Sequence, residues 1–171
     1  MMTKINKNLI KGLNSRSEEV VVQTIKEIQH TGNSAYIPYL LDKLDINERS
    51  EIQDALMFTL NNLKDQSCVP VLAAALYDEN LHSELYRIVS ACWQSGLDFS
   101  HYLKNFIDVF LFGNYHAALE AFTVIETNLE MYSVPEKDIN EGISTLKSNV
   151  SEMDNHKQKL AEELIEVLES V

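Results

Sequence analysis

Residues 36–44, Tyr36-Ile37-Pro38-Tyr39-Leu40-Leu41-Asp42-Lys43-Leu44, return 32 residues later as Cys68-Val69-Pro70-Val71-Leu72-Ala73-Ala74-Ala75-Leu76. An echo at this spacing constrains the fold more than any other feature of the chain, because a unit of two short helices cannot bury its apolar side alone. It has to stack on a neighbour like itself. The offset pairs Val20 with Ile52, Ile25 with Met57, Ile28 with Leu60, Ile37 with Val69, Pro38 with Pro70, Leu40 with Leu72 and Leu44 with Leu76. In a chain that is 45% hydrophobic any one such pair carries little weight, but a shared proline in an ungapped register through two helices carries much more.

The five glycines and three prolines fall where helical hairpins would turn, which leaves almost everything else free to be helix. Residues 3–13 put Ile5, Leu9, Ile10 and Leu13 on one face, as a terminal capping helix needs. Ser15 with Glu18 spells a capping box, and a helix over 17–30 follows with Val20, Val21, Ile25 and Ile28 inward. Gly32-Asn33-Ser34 then turns the chain into a second helix that buries Ile37, Leu40, Leu41 and Leu44. Pro38 sits in its first turn, where the missing N–H costs little because that N–H would have no acceptor inside the helix.

The pattern Ile37-Pro38-Tyr39-Leu40 to Leu44, repeated as Val69-Pro70-Val71-Leu72 to Leu76 with Gly32 between the helices, resembles the HEAT-repeat family over about residues 17–77. The resemblance implies an all-α fold, a right-handed α-solenoid of stacked antiparallel helix hairpins. About four hairpins would occupy 15–150, between an N-terminal capping helix at 1–14 and a C-terminal one at 151–171, all in one domain. A third hairpin needs two extra residues and carries Leu85, Ile88, Val89 and Cys92, the turn Ser95-Gly96-Leu97-Asp98, then Leu103, Phe106, Ile107 and Phe110. Lys104 stands where the family has proline. A fourth begins after Gly113-Asn114 with Ala118, Leu119, Phe122, Val124, Ile125 and Leu129. It restarts at Ser133-Val134-Pro135-Glu136, a second capping box with proline inside the first turn, and continues through Ile139, Ile143, Leu146 and Val150. The last helix, near 154–170, sets Leu160, Leu164, Val167, Leu168 and Val171 against Glu162, Glu163, Glu166 and Glu169. It reads either as a cap on the array or as a detachable, partner-binding helix.

Composition narrows function more than motifs do. Twenty-six acidic against 14 basic side chains give a formal net charge of -12, which repels nucleic acid and anionic lipid. Lys4, Lys7, Lys11 and Arg16 precede the first acid, Glu18, and read as a solvated capping helix. The start has no signal-peptide core, and no stretch approaches the roughly 20 apolar residues that span a bilayer, so a soluble cytoplasmic protein is expected. Cys68 and Cys92 read as free thiols serving as small core hydrophobes. Nucleophile elbow, phosphate-cradling loop and dinucleotide fingerprint are all missing from the sequence, and the histidines at 30, 82, 101, 116 and 156 are dispersed. Glu79, His82 and Glu84 read as a solvated helix start, and Trp93 as packing. Adjacent acids such as Glu18-Glu19, Asp78-Glu79 and Glu162-Glu163 point about 100° apart on a helix and cannot clamp one substrate group. The expectation is a protein without catalysis, cofactor or metal.

Surface residues supply the remaining candidates. Phe99, Tyr102, Phe106, Phe110, Phe112, Tyr115 and Phe122 crowd one stretch, and Tyr102 and Phe112 fall outside its inward stripe. In the family, second helices line the concave face; the matching outward positions here are Tyr39, Asp42 and Lys43, then Val71, Ala74, Ala75 and Asp78, then Asn105, Asp108 and Phe112. Ala74 and Ala75 would make a smooth floor flanked by Tyr39 and by acids, suited to a partner helix or basic segment, or to a second copy of the chain. A protein-interaction scaffold or adaptor with a protein partner, itself a monomer or weak homodimer, is the function this favours. Two alternatives stand beside it. One is an acidic immunity protein that neutralises a basic toxin or nuclease; the other is an enzyme of the DNA glycosylase or bilin lyase type, which are similar to HEAT solenoids but would want a basic face.

Overall fold

A computed structural model describes residues 5–45 and 50–171, which are all-helical, with ten α-helices, five short 3₁₀ turns and no strand among them. The expected helix residues Thr3 and Lys4 lie outside the described residues. The chain divides into two compact units, one ending at Leu97 and one running from Asp98 to Val171. No helix among the described residues is long and apolar enough to cross a membrane.

The first unit holds α1 (Lys7–Leu13), α2 (Glu18–Thr31), α3 (Ile37–Leu41), α4 (Glu51–Asn61), α5 (Val69–Ala75) and α6 (Leu85–Ser95). Packing joins like with like: α2 lies on α4 and α4 on α6, while α3 lies on α5. The 32-residue echo is also an echo of local structure. A 3₁₀ turn at Ser34–Tyr36, capped by the Asn33 side chain accepting from the Ala35 N–H, leads into α3. Another at Gln66–Cys68, capped by Asp65 accepting from the Ser67 N–H, leads into α5. Ile37, Leu40, Leu41 and Leu44 are buried, and so are Val69, Leu72, Ala73 and Leu76 in the second copy. Tyr36 is buried as well, and its hydroxyl accepts from the Asn6 N–H at 2.8 Å, fastening the start of α1.

Two expectations about α2 need correction. Val20 is 45% exposed, and the buried stripe is Val21, Val22, Thr24, Ile25 and Ile28. Against α2, α1 approaches so closely at Gly12 that a Cβ there would fall 2.3 Å from Thr24 Oγ1. Thr24 faces inward, its hydroxyl satisfied by the Val20 carbonyl at 2.7 Å, whereas Val20, one turn earlier on the same side, lies in the exposed first turn with Glu18 and Glu19. In α4 the paired residues Ile52 and Met57 are only half-buried, and Gln53, Leu56 and Leu60 face the core. The capping box also resolves differently. Ser15 Oγ accepts from the Ser17 N–H, Ser17 is the N-cap, and Glu18 instead accepts from the Glu51 N–H at 3.1 Å, capping the neighbouring helix.

The second unit holds α7 (Leu103–Phe112), α8 (Tyr115–Met131), α9 (Glu136–Asn149) and α10 (Asn155–Glu169). Both α7 and α10 pack on α8 and α9. The expected third hairpin thus has its first helix, α6, in one unit and its second, α7, in the other. A 3₁₀ turn at Ser100–Tyr102 leads into α7 as in the earlier repeats, and Lys104 takes the second helical position held elsewhere by proline. Proline costs little at that position because the N–H has no intrahelical acceptor, and nothing there requires proline over lysine. Phe99 meets Phe106 edge to face, centroids 5.4 Å apart, and both border a small hollow with Val124, Ile125 and Asn128 of α8.

Corrections here follow from how α8 turns. Leu119 is 42% exposed, Phe122 and Leu129 are half-buried, and the inward positions go to small alanines that let α7 approach. Asn128 is also buried, because its Oδ1 accepts from the Phe99 N–H at 2.8 Å and its Nδ2 donates to the Val124 carbonyl. Pro135 is the N-cap of α9 rather than a first-turn residue, so Ser133 and Glu136 make no capping box. In α10, Leu160, Leu164 and Leu168 are buried as expected, joined by Ala161 and Ile165, whereas Val171 is 73% exposed beyond the helix end.

Candidate functional site

An open groove of about 480 Å³ in the first unit runs along α3 and α5. Pro38 and Leu41 of α3 face it, as do Pro70, Val71, Ala74 and Ala75 of α5, with Leu81 beyond. Asp42 and Asp78 carry its two carboxylates. The prolines are exposed because the first turn of each helix lifts them off the core. Ala74 is exposed and Ala75 half-buried, so the floor projects no side chain past Cβ. Asp78 Oδ1 accepts from the backbone and side-chain N–H of Asn80, each at 2.9 Å, which orients its carboxylate.

Five residues proposed from sequence, Asp42, Val71, Ala74, Ala75 and Asp78, line this groove. Tyr39 and Lys43 do not. Tyr39 is 37% exposed, and the Lys43 ammonium donates to Asn14 Oδ1 at 2.8 Å, near the end of α1. Pro38, Leu41, Pro70 and Leu81 are lining residues that the reading assigned to helix initiation or core, or passed over. The exposure of a proline at the second helical position was the available signal.

Behind the groove a polar cluster holds the turn that follows Asp42. Gln53 Nε2 donates to the Lys43 carbonyl at 2.7 Å, and Gln53 Oε1 accepts from the Asp45 N–H at 3.1 Å. Arg87 Nη1 donates to Gln53 Oε1 at 3.2 Å and to the Asp45 carbonyl at 3.3 Å. Glu84, only 3% exposed, lies 3.9 Å from the same guanidinium nitrogen. It is therefore a buried ion-pair member, not the solvated carboxylate expected. Gln53 and Arg87 succeed Val21 at offsets near the repeat length, a polar ladder that hydrophobic matching cannot see.

The other candidates group in the second unit. Asn105 and Asp108 are half-buried on α7, and Asp108 pairs with Lys104. Asp108 also borders a small pocket of about 120 Å³ with Ile107, Asp138, Glu141 and Gly142. Phe112 is 78% exposed at the end of α7, and Tyr115 is 44% exposed at the start of α8. Beneath them Lys157 of α10 is 7% exposed, and its ammonium donates to the carbonyls of Leu111 and Gly113, each at 2.8 Å. Burial lowers its pKa, opposed by the nearby Asp154 charge. A cation at a helix C-terminus is well placed against the carbonyls that lack intrahelical donors.

Neither cysteine is poised as a nucleophile. Burial, then the Asp65 charge, pushes the Cys68 thiol up to about 11, and burial pushes the Cys92 thiol up further. Both are free and buried, as expected. Among the described residues no three His, Cys, Asp or Glu side chains gather as a metal site requires. Comparison of the chain with known protein families finds no family model that matches, and comparison with curated proteins finds no match either.

Proposed function

We propose that the chain is a non-catalytic protein-interaction module, a scaffold or adaptor on a HEAT-like α-solenoid of stacked hairpins, which receives a partner protein's helix or basic segment in the groove along α3 and α5. The observation that carries this reading is the groove itself: an apolar, side-chain-poor floor at Ala74 and Ala75 with carboxylates at Asp42 and Asp78. Apolar contact would supply affinity and the acids would steer a basic partner. Further support comes from the repeated 3₁₀ lead-ins and the like-with-like packing of the first unit. The net charge of -12 favours one second reading, an acidic neutraliser of a basic toxin or nuclease.

Replacing Ala74 with Arg tests the module. The variant should keep the wild-type melting curve and lose whatever protein the wild type captures from its native cell. Capture unchanged by Ala74→Arg contradicts the proposal. Salt dependence separates the two readings, since binding to a neutralised toxin should collapse between low and physiological salt while an apolar contact should weaken little.

A further inference from the structure

The groove's backbone chemistry distinguishes between the two kinds of occupant that the interaction-module reading admits. Resting on that reading, we propose that the occupant is an amphipathic α-helix of a partner protein. It lays two apolar side chains, about one turn apart, over Ala74 and Ala75, and turns a lysine or arginine toward Asp42 or Asp78.

An extended segment brings backbone N–H and C=O groups that need partners once they are buried. The groove has almost none to give. Pro38 and Pro70 have no N–H, and the lining carbonyls are already used: Pro38 accepts from the Asp42 N–H at 3.0 Å, Leu41 from Leu44 at 3.0 Å, Ala74 from Tyr77 at 3.2 Å and Ala75 from Asp78 at 3.1 Å. A helix closes its own backbone bonds and needs only an apolar bed. The alanines allow close approach of a helix axis, because nothing extends beyond Cβ at the exposed position 74. A volume of about 480 Å³ takes a few side chains of one helix face rather than a broad protein surface. Among the described residues the charges lining the groove are the carboxylates of Asp42 and Asp78, which select a basic flank and disfavour an acidic helix or a phosphate-bearing ligand.

The test uses the full-length ¹⁵N-labelled protein and three synthetic peptides of about 18 residues, or about five helical turns. One has a leucine stripe at helical spacing with lysines elsewhere, one has the same composition scrambled, and one keeps the stripe but carries two central prolines that forbid a helix. The helical peptide should move the amide resonances of Val71, Ala74, Ala75 and Asp78, and should bind at least tenfold tighter than the other two. Ala74→Arg should weaken it at least tenfold, and the Asp42→Asn, Asp78→Asn double variant severalfold, with a shallower salt dependence. Equal binding of the proline peptide at the same amides overturns the helix and leaves the module reading standing. Failure of the helical peptide to move these amides also overturns the helix. Only capture of a native partner that is indifferent to Ala74→Arg overturns the module as well.

Discussion

The two units bury their cores by different means, and the difference explains which of them offers a surface. In the first unit, the second helices of the repeats are short, five residues in α3 and seven in α5, and each is introduced by a capped 3₁₀ turn. So brief a helix buries one row of aliphatic residues and leaves its other side open, which is where the groove lies. In the second unit α8, α9 and α10 run 17, 14 and 15 residues, and the buried set includes Phe106 and Phe110 of α7 with Ala117, Ala118 and Ala121 of α8. Among the described residues its exposed large apolar side chains are Phe112 and Tyr115 around one turn, with Leu119, Met131 and Val171 elsewhere. Repetition of a short unit creates a groove; closure of long helices uses the apolar face up.

The sharpest break in this contrast comes from the cores. Phe106→Ala should cost about 3–5 kcal/mol in chemical denaturation, since a fully buried ring with an edge-to-face partner leaves a cavity its long helices cannot close. Leu72→Ala should cost less, at the lower end of about 2–5 kcal/mol, because the short α5 can shift to fill the space. Equal losses would mean that helix length does not govern relaxation.

Next in size is the close contact between α1 and α2 at Gly12. Gly12→Ala should destabilise by about 1–3 kcal/mol, and adding Thr24→Ala should restore much of the loss by removing the clashing hydroxyl and methyl. A double variant no better than the single one would show that the clash with Thr24 is not what Gly12 avoids. For the second unit, Lys157→Met should cost about 1–3 kcal/mol at neutral pH by leaving the Leu111 and Gly113 carbonyls without their donor. The pH dependence has a defined sign. Because burial lowers the folded-state pKa of Lys157 below 10.5, the unfolded chain holds that proton more tightly, so this group's contribution to stability rises with pH from the lowered value up to about 10.5. That rise should vanish in Lys157→Met. The smallest effect is expected at the groove, where Ala74→Arg should change stability by no more than about 0.5 kcal/mol, as suits an exposed position away from the core.

Much of this was legible because hydrophobic spacing and proline placement report directly on helix faces. The buried set Ile37, Leu40, Leu41 and Leu44 and its copy at Val69, Leu72 and Leu76 follow from one 32-residue offset, while the floor at Ala74 and Ala75 was pointed to by the HEAT resemblance. What stayed hidden depends on contacts between residues far apart in sequence. Val20 shares a helix side with the buried Thr24 yet lies in the exposed first turn, and the close approach of Gly12 to Thr24 appears only on contact. Glu84 looked solvated beside Glu79 and His82, yet it is buried next to Arg87, whose guanidinium also bonds Gln53 and the Asp45 carbonyl from a distant part of the chain. Lys157 could not be read as buried at all, since its acceptors lie 44 and 46 residues away.

The most direct test of the contrast compares Ala74→Arg with Phe112→Arg in one experiment, measuring capture of the wild type's native partner by each folded variant. The groove account predicts that Ala74→Arg abolishes capture while Phe112→Arg leaves it at the wild-type level. Loss of capture by Phe112→Arg, with Ala74→Arg unaffected, would contradict it and move the binding surface to the second unit.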